Sequence, residues 1–284
     1  VVGGGIGSAI GKTHVSAIRM DGKYVIGPSF FSSKESVNKD SHKFYGLEWP
    51  GHPKHLKEFL ELYSDSLDLV LLATPSPQHA SEIQLLIERN IPFISEKPVS
   101  CTKQDAEKIR RLISKKTKNY TRFIHNYSGY PLFREMVLRY KSGVIGKAFH
   151  VKLDMPSDVY ARSDIIGPPQ KWRTIKTEIP MLFLDLGTHM YHLVRMLLGP
   201  SKSKIMSRGK ILSNNLGLVD HAEIWEERED KTLVSYWFSK ANLGHKNGLT
   251  VELFGEKGSL KWTQSNPDCL FQADTDSNIL TIQD

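Results

Sequence analysis

Over the first 125 residues, short apolar runs alternate with stretches of helical periodicity, and this alternation limits the possible folds more than any other feature. Leu67 to Ala73, Ile91 to Ser95 and Thr121 to His125 have the length and apolar character of buried strands. Pro77 to Arg89, with Ile83, Leu86 and Ile87 on one stripe, and Thr102 to Lys116 read as helices. Fully apolar strands joined through helices predict a parallel sheet covered on both faces, an α/β doubly wound arrangement. At the start, Val1-Val2 enters a glycine turn and Ser8 to Met20 reads as a helix. Lys23 to Phe31 reads as a second strand and His55 to Tyr63 as a further helix.

The rhythm then changes. After a helix over 131–141 and a strand pattern over 143–154, residues 157–176 are rich in Pro, Gly and charge and read as an extended loop. Met181 to Leu198 reads as one helix, stopped by Gly199-Pro200. Strands follow near 203–212, 218–228, 232–241, 248–254 and 258–263, with turns at Glu229-Asp230-Lys231 and Gly255-Glu256-Lys257-Gly258. This predicts an α+β domain with a large open, mostly antiparallel sheet. The expected domains are 1–126 and 127–284.

Apolar content of 39% and charged content of 24% exclude disordered and collagenous classes. No apolar run approaches the roughly 18 residues of a membrane span, so no membrane partner is expected. Cys101 and Cys269 read as free thiols of a reducing, cytoplasmic compartment. The net charge of +7 draws on Lys108, Arg110, Arg111, Lys115, Lys116, Lys118 and Arg122. These flank Ile109, Leu112 and Ile113 at helical spacing, so they read as a solvated helix face, and no nucleic-acid motif accompanies them.

Gly3-Gly4-Gly5-Ile6-Gly7-Ser8-Ala9-Ile10-Gly11 holds two irregular versions of the dinucleotide fingerprint. In one, Ser8 takes the third place; in the other, Gly11 comes one residue late. Strand, glycine turn and helix in that order would bring backbone N–H groups and a helix N-terminus to a pyrophosphate. The segment ending at Lys34 carries no acid to hold a ribose 2′-hydroxyl. Ser32, Ser33 and Lys34 would receive a 2′-phosphate, or form a polar loop. Both NAD and NADP therefore stay open.

Lys97, in Glu96-Lys97-Pro98, follows the strand at 91–95, where ligands bind in open α/β sheets. There it would polarise a substrate oxygen; the alternative is a surface ion pair. Asp185, His189 and His192 would share one helix face at 100° per residue. An acid/base site, a metal site and a satisfied buried cluster are all open. No second group of ligands has convincing metal spacing, so no metal is expected.

At this point several motifs occur in order: Ile10-Gly11-x-x-His14, Ala73-Thr74-Pro75 with His79, Glu96-Lys97-Pro98, and Asp185-x-x-x-His189. With His125-Asn126-Tyr127, Asp185-Leu-Gly-Thr-His189-x-x-His192 and Gly244-His245-Lys246-Asn247-Gly248, they resemble the Gfo/Idh/MocA oxidoreductases over essentially the whole chain. The resemblance implies a Rossmann domain, a nicotinamide cofactor and a sugar or polyol substrate. It also implies a homodimer or homotetramer through the open sheet. The cofactor would meet Gly3, Gly5, Ile6, Gly7, Ser8, Ile10, Ser32, Ser33, Lys34, Thr74, Pro75, His79, Glu96 and Lys97. The substrate would meet Asn126, Tyr127, Trp172, Arg173, Asp185, His189 and His192. Lys97, Asp185 and His189 would be the catalytic set, with His189 as base and His192 its rival.

The expected activity is hydride transfer between nicotinamide and a hydroxyl-bearing carbon. A sugar-nucleotide dehydrogenase and a non-catalytic NAD(P)-binding sensor are the alternatives.

Overall fold

The computed structural model describes residues 1–116, 120–213, 217–277 and 281–283, so Lys118 lies outside the described residues. The chain divides into two compact units, Val1–Ile124 and His125–Asp284.

Unit 1 runs β1 (Val2–Gly3), α1 (Gly11–Arg19), α2 (Glu35–Tyr45), α3 (Leu56–Tyr63), β2 (Val70–Ala73), α4 (His79–Glu88), β3 (Phe93–Glu96), α5 (Lys103–Lys116) and β4 (Thr121–Ile124). The strands pair in parallel in the order β1-β2-β3-β4, with Leu72 opposite Val2 and Ser95. Val2, Val70, Leu72 and Phe93 are buried against Phe59, Leu60, Ile83, Leu86 and Ile109 from the helices. Each such side chain contributes about 1.5–3 kcal/mol. On α5 the basic residues Lys108, Arg110, Arg111 and Lys115 are exposed while Ile109 is buried, which is a solvated helix face.

In unit 1 one local expectation is corrected, and one helix was not foreseen. Lys23 to Phe31 is not a strand: only Phe30 joins the sheet, through a single parallel bridge to Val2. Tyr24 and Val25 are exposed, so their apolar side chains have nothing to pack against, and Pro28 has no N–H to donate. α2 carries no apolar stripe strong enough to announce it. Its inner face is Asn38, Ser41, His42 and Tyr45, and Asn38 Oδ1 accepts the Phe31 N–H at 2.8 Å.

Unit 2 opens with a 3-10 turn at Asn126–Gly129, followed by α6 (Pro131–Lys141), β5 (Ala148–Pro156), α7 (Ser163–Ile166) and a 3-10 turn at Lys171–Thr174. A π-helical turn at Phe183–Gly187 leads into α8 (Thr188–Leu198). The remaining strands are β6 (Ser203–Lys210), β7 (His221–Arg228), β8 (Leu233–Ser239), β9 (Thr250–Gly255), β10 (Gly258–Thr263), β11 (Asn266–Asp274) and β12 (Thr281–Gln283). The sheet order is β12-β11-β10-β9-β5-β8-β7-β6, antiparallel except for the parallel pair β5–β8. One face packs Val151, Leu153, Tyr236, Phe238 and Trp262 against Phe133 and Met136 of α6 and Met190 and Leu193 of α8. The other face carries a charge ladder, with Lys152 to Asp154 at 2.7 Å and Lys261 to Glu252 at 2.9 Å.

The helix expected over 181–198 forms without a break, but part of it is not an α-helix. The Thr188 N–H donates to the Phe183 carbonyl five residues back, so the first part is wound wider than an α-helix. The strand expected from Gly143 begins only at Ala148, because Gly143 and Gly146 take positive φ in a turn.

Candidate functional site

In unit 1 the glycine turn is built from unequal glycines. Gly3 sits so close to the next strand that a Cβ would lie 2.5 Å from Thr74 N, and one on Gly11 would lie 1.8 Å from Gly4 O. These two let chain segments touch. Gly7 differs: its φ is +84°, it is exposed, and a Cβ there would meet nothing within 4 Å. Ile6 is exposed beside it, and Ser8 Oγ accepts the N–H groups of Ile10 and Gly11 at 3.3 and 3.2 Å, capping the entry to α1. Room at Gly7, in a turn that ends at a helix N-terminus, fits a dinucleotide pyrophosphate.

Ser32 is half-buried, Ser33 and Lys34 are exposed, and Lys34 immediately precedes α2. At the end of β2 the Thr74 hydroxyl donates to Glu82 of α4, and Pro75 begins the turn into that helix. Burial pushes the Glu82 carboxyl up to about 7, against the Thr74 hydrogen bond.

His79 does not present its ring to a ligand. It is 1% exposed, with Nδ1 2.6 Å from Pro98 O and Nε2 2.8 Å from Thr74 O. It fastens the turn after β2 to the turn after β3, and so holds the backbone just after Lys97. Burial lowers its pKa. Glu96 is engaged by His14 of α1, Nε2 to Oε1 at 2.7 Å. Lys97 is half-buried, and the Lys97–Pro98 peptide is cis.

In unit 2, Asp185, His189 and His192 each have named partners. Asp185 belongs to the π turn. Its Oδ2 receives Arg173 Nη1 at 2.5 Å and also Lys240 Nζ. The Arg173 guanidinium lies over the Trp172 ring at 4.2 Å. His189 is 8% exposed, and the Tyr127 ring meets it edge-on at 4.8 Å. His125 meets His189 at 6.0 Å and stacks on His192 at 4.1 Å. Burial lowers the His192 pKa and pushes the Tyr127 phenol up to about 12. Asn126 is exposed in the preceding turn.

Sequence reasoning missed Lys240, Tyr160 and His125 as members of these groups. Lys240 was detectable, because it continues the buried parity of Tyr236 and Phe238. Among the described residues, no group of three or more His, Cys, Asp or Glu could hold a metal ion. Nor does any helix among them have the length and apolar character to cross a membrane.

Residues 1–123 match the model of an oxidoreductase family with an NAD-binding Rossmann fold, GFO_IDH_MocA. Residues 133–261 match the GFO/IDH/MocA C-terminal domain. The uncharacterized oxidoreductase YfiI of Bacillus subtilis (strain 168) is 26% identical over 278 residues, covering 94% of this chain and 70% of that protein. An inositol dehydrogenase homolog from Azotobacter vinelandii, solved with NADH and myo-inositol, superposes with a TM-score of 0.89 at 21% identity. That match covers 100% of this chain and 74% of the other. A levoglucosan dehydrogenase solved with NADH and L-sorbose superposes with a TM-score of 0.84 at 18% identity, covering 99% of this chain and 78% of the other.

Proposed function

The chain belongs to the GFO/IDH/MocA oxidoreductase family, and from that premise we propose that it moves a hydride between a nicotinamide dinucleotide and a hydroxyl-bearing carbon of a sugar or cyclic polyol. The observation that carries this reading is the division of labour in unit 2. Asp185 is held by Arg173 and Lys240, which makes it a fixed acceptor and anchor. His189 rests against a neutral phenol and another imidazole, surroundings that suit a base working near neutral pH.

When bound, the nicotinamide supplies the acceptor or donor of the hydride. The chain's own residues do the rest. Gly7 and the entry to α1 hold the pyrophosphate. Lys97 polarises the substrate oxygen, and His189 takes its proton during oxidation or returns it during reduction. His125 stacks on His192 and touches His189, so it fixes the orientation of both rings. Ser32, Ser33 and Lys34, with no carboxylate among them, tilt the cofactor preference toward NADP. The ladder-bearing face of the sheet, which also exposes Trp225, is the surface through which we place a homodimer or homotetramer.

The test is turnover with a panel of sugars and polyols, using both NAD and NADP. His189→Ala should lower kcat on the order of a hundredfold or more. Unchanged turnover in His189→Ala, with loss in His192→Ala, transfers the role of base. A wild-type protein that binds NADH yet exchanges hydride with no member of the panel refutes the proposal and favours a sensor.

A further inference from the structure

We propose that unit 2 carries a second ligand site, on the face of its sheet turned away from α6 and α8, which takes a neutral pyranose by stacking on Trp237 and hydrogen bonding to Asp154 and a chain of three hydroxyls. The site stands apart from the dehydrogenase reading, because it uses neither Asp185 nor His189.

The sheet register makes the floor. Trp237 of β8 stands opposite Asp154 of β5, Asp154 opposite Thr250 of β9, and Thr250 opposite Thr263 of β10. Their chain neighbours Phe238, Leu153, Val251 and Trp262 lie in the core, so alternation sends these four to the other face. Adjacent strands lie about 5 Å apart, and the four side chains form one row about 14 Å long. The wall is the loop 244–248, fastened to the end of β5. The Gly248 N–H donates to Pro156 O at 3.2 Å, and Lys246 bridges Ser157. Asn247 in this loop takes φ +98°, a costly conformation for a residue with a side chain. Floor and wall, with Ser265, border a pocket of about 500 Å³, within the range of small-molecule sites.

The lining sets the ligand class. The Trp237 indole is half-buried, and the His221 ring meets it edge-on at 6.3 Å. One strand away, Lys152 Nζ lies 2.7 Å from Asp154 Oδ2 and steadies the carboxylate as an acceptor. Further along, the Thr250 hydroxyl lies 3.4 Å from that of Thr263, which lies 3.0 Å from that of Ser265. Three hydroxyls carry three protons, and two are spent within this chain, so one donor and several lone pairs are left for a ligand. An indole wants an apolar face against it, and the C–H groups of a pyranose ring supply one. The hydroxyls at the rim of that ring then reach the carboxylate and the hydroxyl chain. Asp154 opposes an anion. A second protein chain seated here would bury a carboxylate and three hydroxyls, unlike the charge-depleted centre of an interface. A nucleobase also stacks on indole but brings fewer hydroxyls to the row, and it is the rival in the test.

The test reads this site alone. The chain has five tryptophans, so protein labelled with 5-fluorotryptophan gives five fluorine resonances. That of Trp237 is assigned from Trp237→Phe, or by elimination from the Phe variants of the other four. The full chain is titrated with the methyl glycosides of glucose, galactose and mannose, and separately with adenosine. The Trp237 resonance should shift and saturate with at least one glycoside, at a Kd of about a millimolar, as suits one small ring in an open pocket. Asp154→Asn should weaken that binding about tenfold, the value of a hydrogen bond to a charged group. Thr263→Val keeps the shape and removes one hydroxyl, so it serves if Asp154→Asn fails to fold, with a loss of about threefold or more. A Trp237 resonance that no glycoside moves overturns the proposal, and so does one that only adenosine moves. A shift that is the same in wild type and both variants comes from binding elsewhere and overturns it too. A second copy covering this end of the sheet would keep the glycosides out and give the first of these refuting results.

Discussion

Glu82 gives the stability of unit 1 a pH dependence whose sign follows from its surroundings. Its carboxyl is held by burial at about 7 in the folded protein, against 4.5 as its ordinary value. Between those pH values the native state keeps a proton that the unfolded chain has released. Stability from this group is therefore complete below pH 4.5 and falls as pH rises to about 7. At about 1.4 kcal/mol per pH unit, the full shift corresponds to roughly 3 kcal/mol. The residue is half-buried rather than sealed, so solvent screening reduces the expected loss to about 1–2 kcal/mol. Glu82→Gln keeps the shape and an acceptor for the Thr74 hydroxyl while removing the titration. Urea unfolding of both proteins should be measured at intervals from pH 5 to pH 8. Wild type should lose about 1–2 kcal/mol relative to the variant across that range, mostly between pH 5 and 7. A difference that stays constant with pH, or one that grows in favour of wild type, would refute the reasoning.

Gly7→Ala should fold, at a cost of about 1 kcal/mol for its positive φ, and should weaken NADH binding about tenfold or more. A fluorescence titration matching wild type would remove Gly7 from the cofactor site. Gly5 is a poorer probe, because a Cβ there would lie 2.6 Å from Ser41 Oγ, so its variants disturb the turn itself. Arg228→Met should destabilise the protein by about 3–5 kcal/mol in urea. Arg228 donates to the Leu198 and Gly199 carbonyls at the end of α8 and pairs with buried Glu226, so a loss under 1 kcal/mol would show that this network contributes little. Light scattering at micromolar concentration should give a dimer or tetramer, and Lys152→Glu should shift it toward monomer. A wild-type monomer counts against the sheet face as an interface.

The parallel sheet of unit 1 was legible because β2 and β3 are short, apolar and bounded by helices of clear period. Residues 23–31 misled because their apolar side chains alternate but remain in solvent, and alternation alone cannot report whether a partner exists. α2 stayed hidden because its buried face is made of Asn38, Ser41 and His42, whose hydrogen bonds do the work usually done by leucines. In unit 2 the residue types at positions 185, 189 and 192 were apparent, but the π turn that carries Asp185 was not, because a change in helix period leaves no compositional trace. Lys240 and Tyr160 lie far from Asp185 in sequence and meet it only through the sheet. His125 reads as the end of a strand, until α8 brings His192 onto its ring.

The π turn at 183–187 also bears on how such a site changes over generations. A π turn holds one residue more than the α turn it replaces, so it is in effect an insertion stored inside a helix. Deleting Leu186 or Gly187 would let Met181 to Leu198 close into one continuous α-helix. The helix on either side would keep its phase, because the wide turn absorbs the extra residue, and only the residues inside that turn would be re-aimed. Asp185 would leave Arg173 and Lys240, while His189 would keep Tyr127 beside it. A single lost codon could thus detach the anchor from the base and leave both helical flanks intact. Lineages that carry or lack this residue would then differ in which substrate they hold before they differ in how they take its proton, and an alignment without a gap here would pair the wrong carboxylate.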